Sequence, residues 1–457
     1  MDEEEVKIGL EVHIYPRTEC KMFCRCSASF LESPPNTNIC PICAGHPGAK
    51  PMPPNAQAVR AGIQLAAVFG MKAADKPVFT MRKHYFYPDL PSNYQRTSEP
   101  LAVGGAIGEC GLREIHFEED PGQYDLTKGT VDLNRSGVPL LELVTEPDMR
   151  SSREARALLS DLLLALEYLQ LSRAEMPFKV DTNISIGGGN RVEVKNINSL
   201  SGVVKALDFE ASRQTELCSA GKSVEQETRH FDAVNGSTLP LRYKETLEDY
   251  RYMPDPDIGP IRTDNVVYEQ QENPFLILKR MTTEGISGPD ARTIIADRHL
   301  LDAHSRIAAV CGPRFSSVFV AGDIRAELNY RKSDSSALDS MMGGLLEIAA
   351  GRSSSRLSNL NATMLLRTLF DGGSIHPAID ELSGGWYGRE AISDIASRTI
   401  SEHPDAVEKY RKGNMEVLNY FVGLCMKEMR GKAKSADIIS ALRGILDADA
   451  RGSEKGK

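Results

Sequence analysis

The chain has no run of about 18 apolar residues that could span a bilayer. Its first residues, MDEEEVK, also lack the cationic and then apolar layout of a secretory signal, so the expected compartment is the cytosol. That compartment is reducing, which argues against structural disulfides among the nine cysteines. A G-x-x-x-x-G-K-S/T loop is absent too, and GGGNR at Gly187 to Arg191 lacks the strand-turn-helix setting of a phosphate cradle. Nucleotide binding therefore has to be of another kind. There is no G-x-S-x-G elbow and no cysteine nucleophile with a histidine partner in a fitting context. This argues against an acyl-hydrolysing or glutamine-cleaving site on the chain. Internal repeats are missing, and the formal charge of -9 argues against a protein wrapped wholly around nucleic acid. The end of the chain is polarised the other way: from Asp405 to Lys457, eleven Lys/Arg stand against eight Asp/Glu, a local +3.

The 457 residues are 41% hydrophobic and 26% charged, an ordinary globular composition with length for more than one domain. From Val6 to about Pro274, VKIGLEVHI, GLREIHFEED, TVDLNRSG, VPLLELVTEPD, FKVDTNISI and RVEVKNI read as strands whose residues alternate between two faces. Helices are expected near Ala56 to Phe69 and from Ser151 to about Leu171, the second opening with a Ser151-x-x-Glu154 capping box. After Pro274 the apolar period is helical throughout. DELSGGWY, Asp380 to Tyr387, reads as a linker, followed by tail helices from about Pro404 to Arg430 and from Ser435 to Leu446. The expectation is an α+β protein: a large, mostly antiparallel sheet domain over 1–275, an all-α domain over 276–383 and a small helical tail domain over 384–457.

Polar residues recur inside those strands. Glu11 and His13 are two apart and share a strand face, as do His116 and Glu118, Asp181 and Asn183, and Glu193 and Lys195. Glu119 falls on the face opposite Glu118, and Glu142 stands alone in an apolar strand. Carboxylates gathered on one sheet face repel unless a cation neutralises them, and hard oxygen ligands with an imidazole suit magnesium or manganese. The plainer alternative is a set of solvated strand faces with ordinary ion pairs. Arg82, Lys83 and His84 in RKHYFYPDLPSNYQ, and Asn134 and Arg135 in LNRSG, add the cations and turns that phosphate chemistry uses.

FCRCSASFLESPPNTNICPIC supplies Cys24, Cys26, Cys40 and Cys43 as two short pairs separated by a loop, within a module spanning 20–43. Such spacing suits a structural tetrahedral zinc; inert or redox thiols are the alternative. The module follows the Glu11–His13 strand and is expected to brace it. Cys425 falls on the apolar face of a tail helix and is expected to be buried.

Taken together, GLEVH, FCRC/CPIC, RKHYFYPDLPSNYQ, IHFEEDPG, VDLNRSGVPLLELVTEPD, DTNISI, EVKNINS, QETRHFD and KETLEDYRYMPDPD resemble the GatB/GatE family of aspartyl/glutamyl-tRNA(Asn/Gln) amidotransferases. The tail PDAVEKYRKGNMEVLNYFVGLCMKEMRGKA is similar to that family's helical tail. The resemblance implies a cradle-shaped sheet domain of glutamine-synthetase type and a helical tail that grips transfer RNA. It implies that ATP phosphorylates the side-chain carboxylate of tRNA misacylated with glutamate or aspartate. Ammonia, channelled from a separate amidase (glutaminase) partner with a small third component holding the assembly together, then gives the amide. It further implies that Glu11, His13 and Glu119 ligate magnesium with Glu118 and Glu142 close by. Lys83, Asn134, Arg135 and Lys195 then face ATP or the acyl phosphate, and Asp181, Asn183, Glu193 and Asn196 complete the cavity and channel mouth. The chain departs from the family strings at Pro121 and Gln123, at Tyr94 to Ser98 and at Tyr252 to Asp257. The other readings are an RNA-binding assembly protein with a decayed kinase site, and a stand-alone ligase using free ammonia.

Overall fold

The computed structural model describes residues 6–125, 127–173, 178–243, 250–376, 387–411, 414–429 and 431–453. The chain forms two compact units, Met1–Pro274 and Phe275–Lys457.

The first unit is built on a 13-stranded sheet. Its strands are β1 Lys7–Ile14, β2 Lys72–Ala73, β3 Thr80–His84, β4 Tyr94–Ser98, β5 Ala102–Val103, β6 Ala106–Ile107 and β7 Cys110–Glu119, then β10 Pro139–Thr145, β11 Phe178–Ser185, β12 Val192–Ile197, β13 Glu227–Asp232, β14 Ser237–Tyr243 and β15 Met253–Pro254. A separate hairpin pairs β8 Gln123–Asp125 with β9 Thr130–Asp132. The main path runs β14-β13-β12-β11-β1-β10-β7-β4-β3-β15, and β12 with β13 is its parallel pair. All six segments read as strands from alternation are strands or contain one.

Alternation sorts the sheet into two faces. Val12, Ile14, Ile115, Phe117, Leu141, Leu143, Val180 and Val194 are fully buried on one of them. Helices cover this face: α1 Ala56–Val68 packs on β7 and β10, and α3 Leu200–Ser219 on β11 and β12, with α2 Ser152–Tyr168 beside them. Each such side chain contributes about 1.5–3 kcal/mol by leaving water, so the helices lock the register that aims Glu11, His13, His116, Glu118, Glu142 and Asp181 the other way. Ser151 caps α2 as expected, accepting from the Glu154 amide. The sequence reading did not identify α3, whose start is marked by Ser199 accepting from the Gly202 amide. Its interior carries Glu210 and Gln214 where apolar residues would signal a core face, and both are buried against arginines and polar partners.

Every secondary-structure element among the described residues from Pro274–Thr283 onward is a helix, and Phe319–Ile324 is a π-helical turn between two α-helical segments. Near its end, Ile392, Phe421, Cys425, Met429, Ile438 and Leu442 form a core, so Cys425 is buried as expected. The long tail helix expected over Pro404 to Arg430 is instead two, Pro404–Arg411 and Val417–Glu428. Asn414 accounts for part of the break, since its side chain accepts from the Glu416 amide ahead of the second helix. Most of the linker expected at Asp380 to Tyr387, and the 383/384 boundary with it, lies outside the described residues.

Candidate active site

Directly opposed residues of neighbouring strands point to the same side. The register therefore sets His13 beside Glu142 and Lys179, Glu142 beside His116, and Glu11 beside Asp181. These polar side chains meet on the face that the helices leave uncovered. A cavity of about 820 Å³ opens there, lined by Glu11, His13, Lys83, Glu118, Arg135, Glu142, Asp181 and Lys195 among others.

Two groups have the spacing of metal ligands, and all their residues but Glu193 line this cavity. His13, Glu118 and Glu142 form one, and Glu11, Asp181 and Glu193 the other; in each, one ligand atom per residue lies within 4.8 Å of the rest. His13 Nε2 stands 3.8 Å from both Glu118 Oε2 and Glu142 Oε1. Burial and the neighbouring Glu142 push the Glu118 carboxyl up to about 7, and burial with Glu142, Glu193 and Asp181 raises Glu11. Burial opposes the Glu142 charge as well, but His116, His13 and Lys83 hold that carboxyl well below its usual range. The cavity thus holds more carboxylates than its own cations neutralise, the condition a divalent ion relieves.

Protein cations stand at both sides. Lys195 Nζ lies 3.2 Å from Asp181 Oδ2 and 3.4 Å from Glu193 Oε1. Lys83 Nζ sits 4.8 Å above the Tyr250 ring. Arg135 donates to the carbonyls of Pro121 and Gly122 and lies 3.3 Å from Asp120, whose carboxylate also accepts from Tyr15 at 2.6 Å. Asn183 reaches Glu11 from behind, donating to its Oε1 at 3.1 Å, and lines a second cavity of about 220 Å³ that Glu11 also borders.

Two expected residues are elsewhere. Glu119 follows strand alternation rather than the resemblance: it faces away from the cavity and accepts from the Arg96 backbone at 3.0 Å and its guanidinium at 3.3 Å. Arg96, one of the departures from the family strings, also donates to the buried Asp255 at 2.8 Å, and a charge is held beneath the sheet. Asn134 likewise does not line the cavity. It is 1% exposed, accepts from the Asn38 amide at 2.9 Å and donates to the Pro34 carbonyl at 2.6 Å. The side chain of Asn196 lies outside the described residues.

The four cysteines converge as their spacing predicts, with every Sγ within 4.8 Å of the others. Cys43 Sγ lies 3.9 Å from Cys40 Sγ and 4.0 Å from Cys26 Sγ. Thiolates held about 2.3 Å from a tetrahedral zinc are about 3.8 Å apart, so the quartet fits that ion. A hydrogen bond from Cys24, the Cys40 amide and the Lys21 ammonium lower the Cys43 thiol to about 4 against its burial. Lys21 is 1% exposed with Nζ 3.5 Å from Cys43 Sγ, an inward cation that the sequence reading did not identify. Four thiolates around a divalent ion carry a net −2, and a buried ammonium offsets half of it. The module's bonds go chiefly to the turn before β10: Ser136 donates to the Cys43 carbonyl, and Met22 to that of Gly137. It braces the segment carrying Arg135 in addition to following β1.

Other residues of the site escaped the sequence reading. His116 bonds Glu142 at 2.7 Å, and Thr228 of β13 donates to Glu193 Oε2 at 3.1 Å. Strand alternation gave the face of His116 but no reason to assign it a role; Thr228 reaches Glu193 through the parallel pairing of β12 with β13, which no local pattern announces.

The chain matches the GatB/GatE catalytic domain over residues 6–269 and the GatB domain over residues 305–446. It is 40% identical over 448 residues to the B subunit of the aspartyl/glutamyl-tRNA(Asn/Gln) amidotransferase of Methanothermobacter thermautotrophicus, an alignment spanning 96% of this chain and 99% of that protein. It is 38% identical over 458 residues to the protein of the same name from Methanopyrus kandleri, spanning 97% and 99%.

Proposed function

The chain belongs to the GatB/GatE family, and on that premise we propose that it is the component of a tRNA-dependent amidotransferase that activates and amidates a tRNA-linked side-chain carboxylate. The substrates in this reading are glutamate or aspartate esterified to the wrong tRNA, ATP and ammonia. A carboxylate is a poor electrophile because its leaving group would be oxide. Transfer of a phosphoryl group to it creates an acyl phosphate, whose phosphate leaves when ammonia attacks the carbonyl carbon.

The observation that carries the proposal is the pair of three-ligand groups at one cavity, which five of their six residues line. His13, Glu118 and Glu142 would hold one divalent ion and Glu11, Asp181 and Glu193 another; magnesium at such sites neutralises phosphate charge. Lys83, Arg135 and Lys195 lie where they would stabilise charge moving onto transferred oxygens. The smaller cavity behind Glu11 and Asn183 is the candidate mouth for ammonia, which an amidase partner, held by a small third component, would supply. Zinc in the cysteine quartet has a structural part only. No described helix is long and apolar enough to cross a membrane, and a cytoplasmic setting follows from the proposed substrate.

The test is coexpression with an amidase partner. The complex should convert Glu-tRNA or Asp-tRNA to its amide only when ATP and magnesium are present, and failure with both substrates would remove the proposal.

A further inference from the structure

Beside the cavity lies a second hollow of about 710 Å³, lined by Tyr85, Phe86, Tyr87, Tyr250, Arg251 and two flanking side chains. Tyr85, Tyr87 and Tyr250 line both hollows, so the two adjoin. Four tyrosines run in series here. Tyr87 to Tyr85, Tyr85 to Tyr250 and Tyr250 to Tyr252 have centroids 5.7, 5.9 and 6.2 Å apart, each pair edge to face. Edge-to-face contacts leave ring faces available for a further flat partner. The series is anchored to the reactive centre, because Tyr85 donates to Gln95 at 2.9 Å and Gln95 donates to Glu118 at 3.1 Å.

Its outer end is unusual for a folded surface. Phe86 is 80% exposed, Tyr252 43% and Met253 48%. An exposed aromatic cluster beside a polar cavity has the makings of a nucleobase platform, since every base offers a π-face and stacking is tolerant of sequence. We propose that this platform receives the 3′-terminal nucleotide of the tRNA, its base stacked on Phe86 and the tyrosines while the esterified amino acid reaches inward along Tyr85.

This rests on the proposed function, which brings two adenines to the site, one in ATP and one at the end of tRNA. The rim distinguishes them. ATP directs its phosphates inward to the carboxylate groups and has nothing beyond its base. An RNA end presents its acylated ribose inward and a phosphodiester chain outward. Arg251 lines the hollow and is exposed, which suits the second arrangement. Single-stranded RNA ends are commonly bound in this way, bases on aromatic rings and backbone along cations.

The experiment uses the complex with its amidase partner and three variants, Phe86→Ala, Phe86→Tyr and Arg251→Ala. Phe86→Ala should raise KM for misacylated tRNA on the order of tenfold with KM for ATP unchanged, and Phe86→Tyr should restore it. Arg251→Ala should raise the same KM and flatten its salt dependence. A rise confined to KM for ATP would assign the platform to the nucleotide and overturn the proposal, as would no change in either. Binding is read independently with deacylated tRNA carrying 2-aminopurine as its terminal base. Wild type should quench it and Phe86→Ala should not, even if no amidation occurs; quenching with no amidation leaves the platform standing and removes the function, whereas amidation with no quenching does the reverse.

Discussion

His116 Nε2 lies 2.7 Å from Glu142 Oε2, and the other oxygen of Glu142 stands 3.8 Å from His13 Nε2. One imidazole therefore fixes the carboxylate that a second imidazole shares. With Oε2 taken by His116, Oε1 is the oxygen left to turn toward His13 and Glu118. Partners of this kind set the orientation and basicity of metal ligands, and their loss typically costs about 10–100-fold in metal affinity. His116→Ala is expected to weaken manganese binding, measured by calorimetry on the purified protein, by that factor, with a matching rise in the magnesium needed for amidation. An unchanged affinity would make the pair a packing contact only.

Asn134→Ala separates a staple from a substrate contact. The Asn134 side chain joins the loop at Pro34 and Asn38 to the turn before β10, and it lies outside the cavity. Leaving its buried partners unsatisfied costs about 1–3 kcal/mol. Denaturant unfolding should show that loss while KM for ATP stays at the wild-type value. A raised KM for ATP with unchanged stability would restore Asn134 to the nucleotide site.

For the cysteine quartet the measurement is metal content. Wild type should carry zinc, Cys40→Ser should lose it, and the melting temperature should fall with it, because the module is bonded to the turn through Ser136 and Gly137. Lys21→Met should weaken zinc retention under chelator without removing a ligand. Equal zinc in wild type and Cys40→Ser would contradict the assignment.

How much of this the sequence announces depends on the range of each interaction. Glu142 was conspicuous because it is a single carboxylate in an apolar strand, and the pairing of Glu11 with His13 followed from a period of two. The sheet itself was legible for the same reason. Glu119 shows the limit of analogy: alternation alone set it opposite Glu118, the resemblance moved it to the metal, and the structure agrees with alternation because Arg96 is there to receive it. The roles of Lys21, Asn134 and Thr228 were not legible, since each acts on a segment reached only through the tertiary fold. Helix α3 was obscured by Glu210, a buried acid that reads as solvated until Arg213 and Arg229 are seen around it.

The central claim is that this chain's cavity activates the carboxylate before ammonia arrives. It is tested most directly by measuring ADP release from ATP by the complex, with misacylated tRNA present and both glutamine and ammonia withheld. Wild type should release ADP in proportion to the misacylated tRNA supplied, and Glu11→Ala should release none while its partner still hydrolyses glutamine. Equal ADP release by Glu11→Ala, or none from wild type with either misacylated tRNA, would contradict the account.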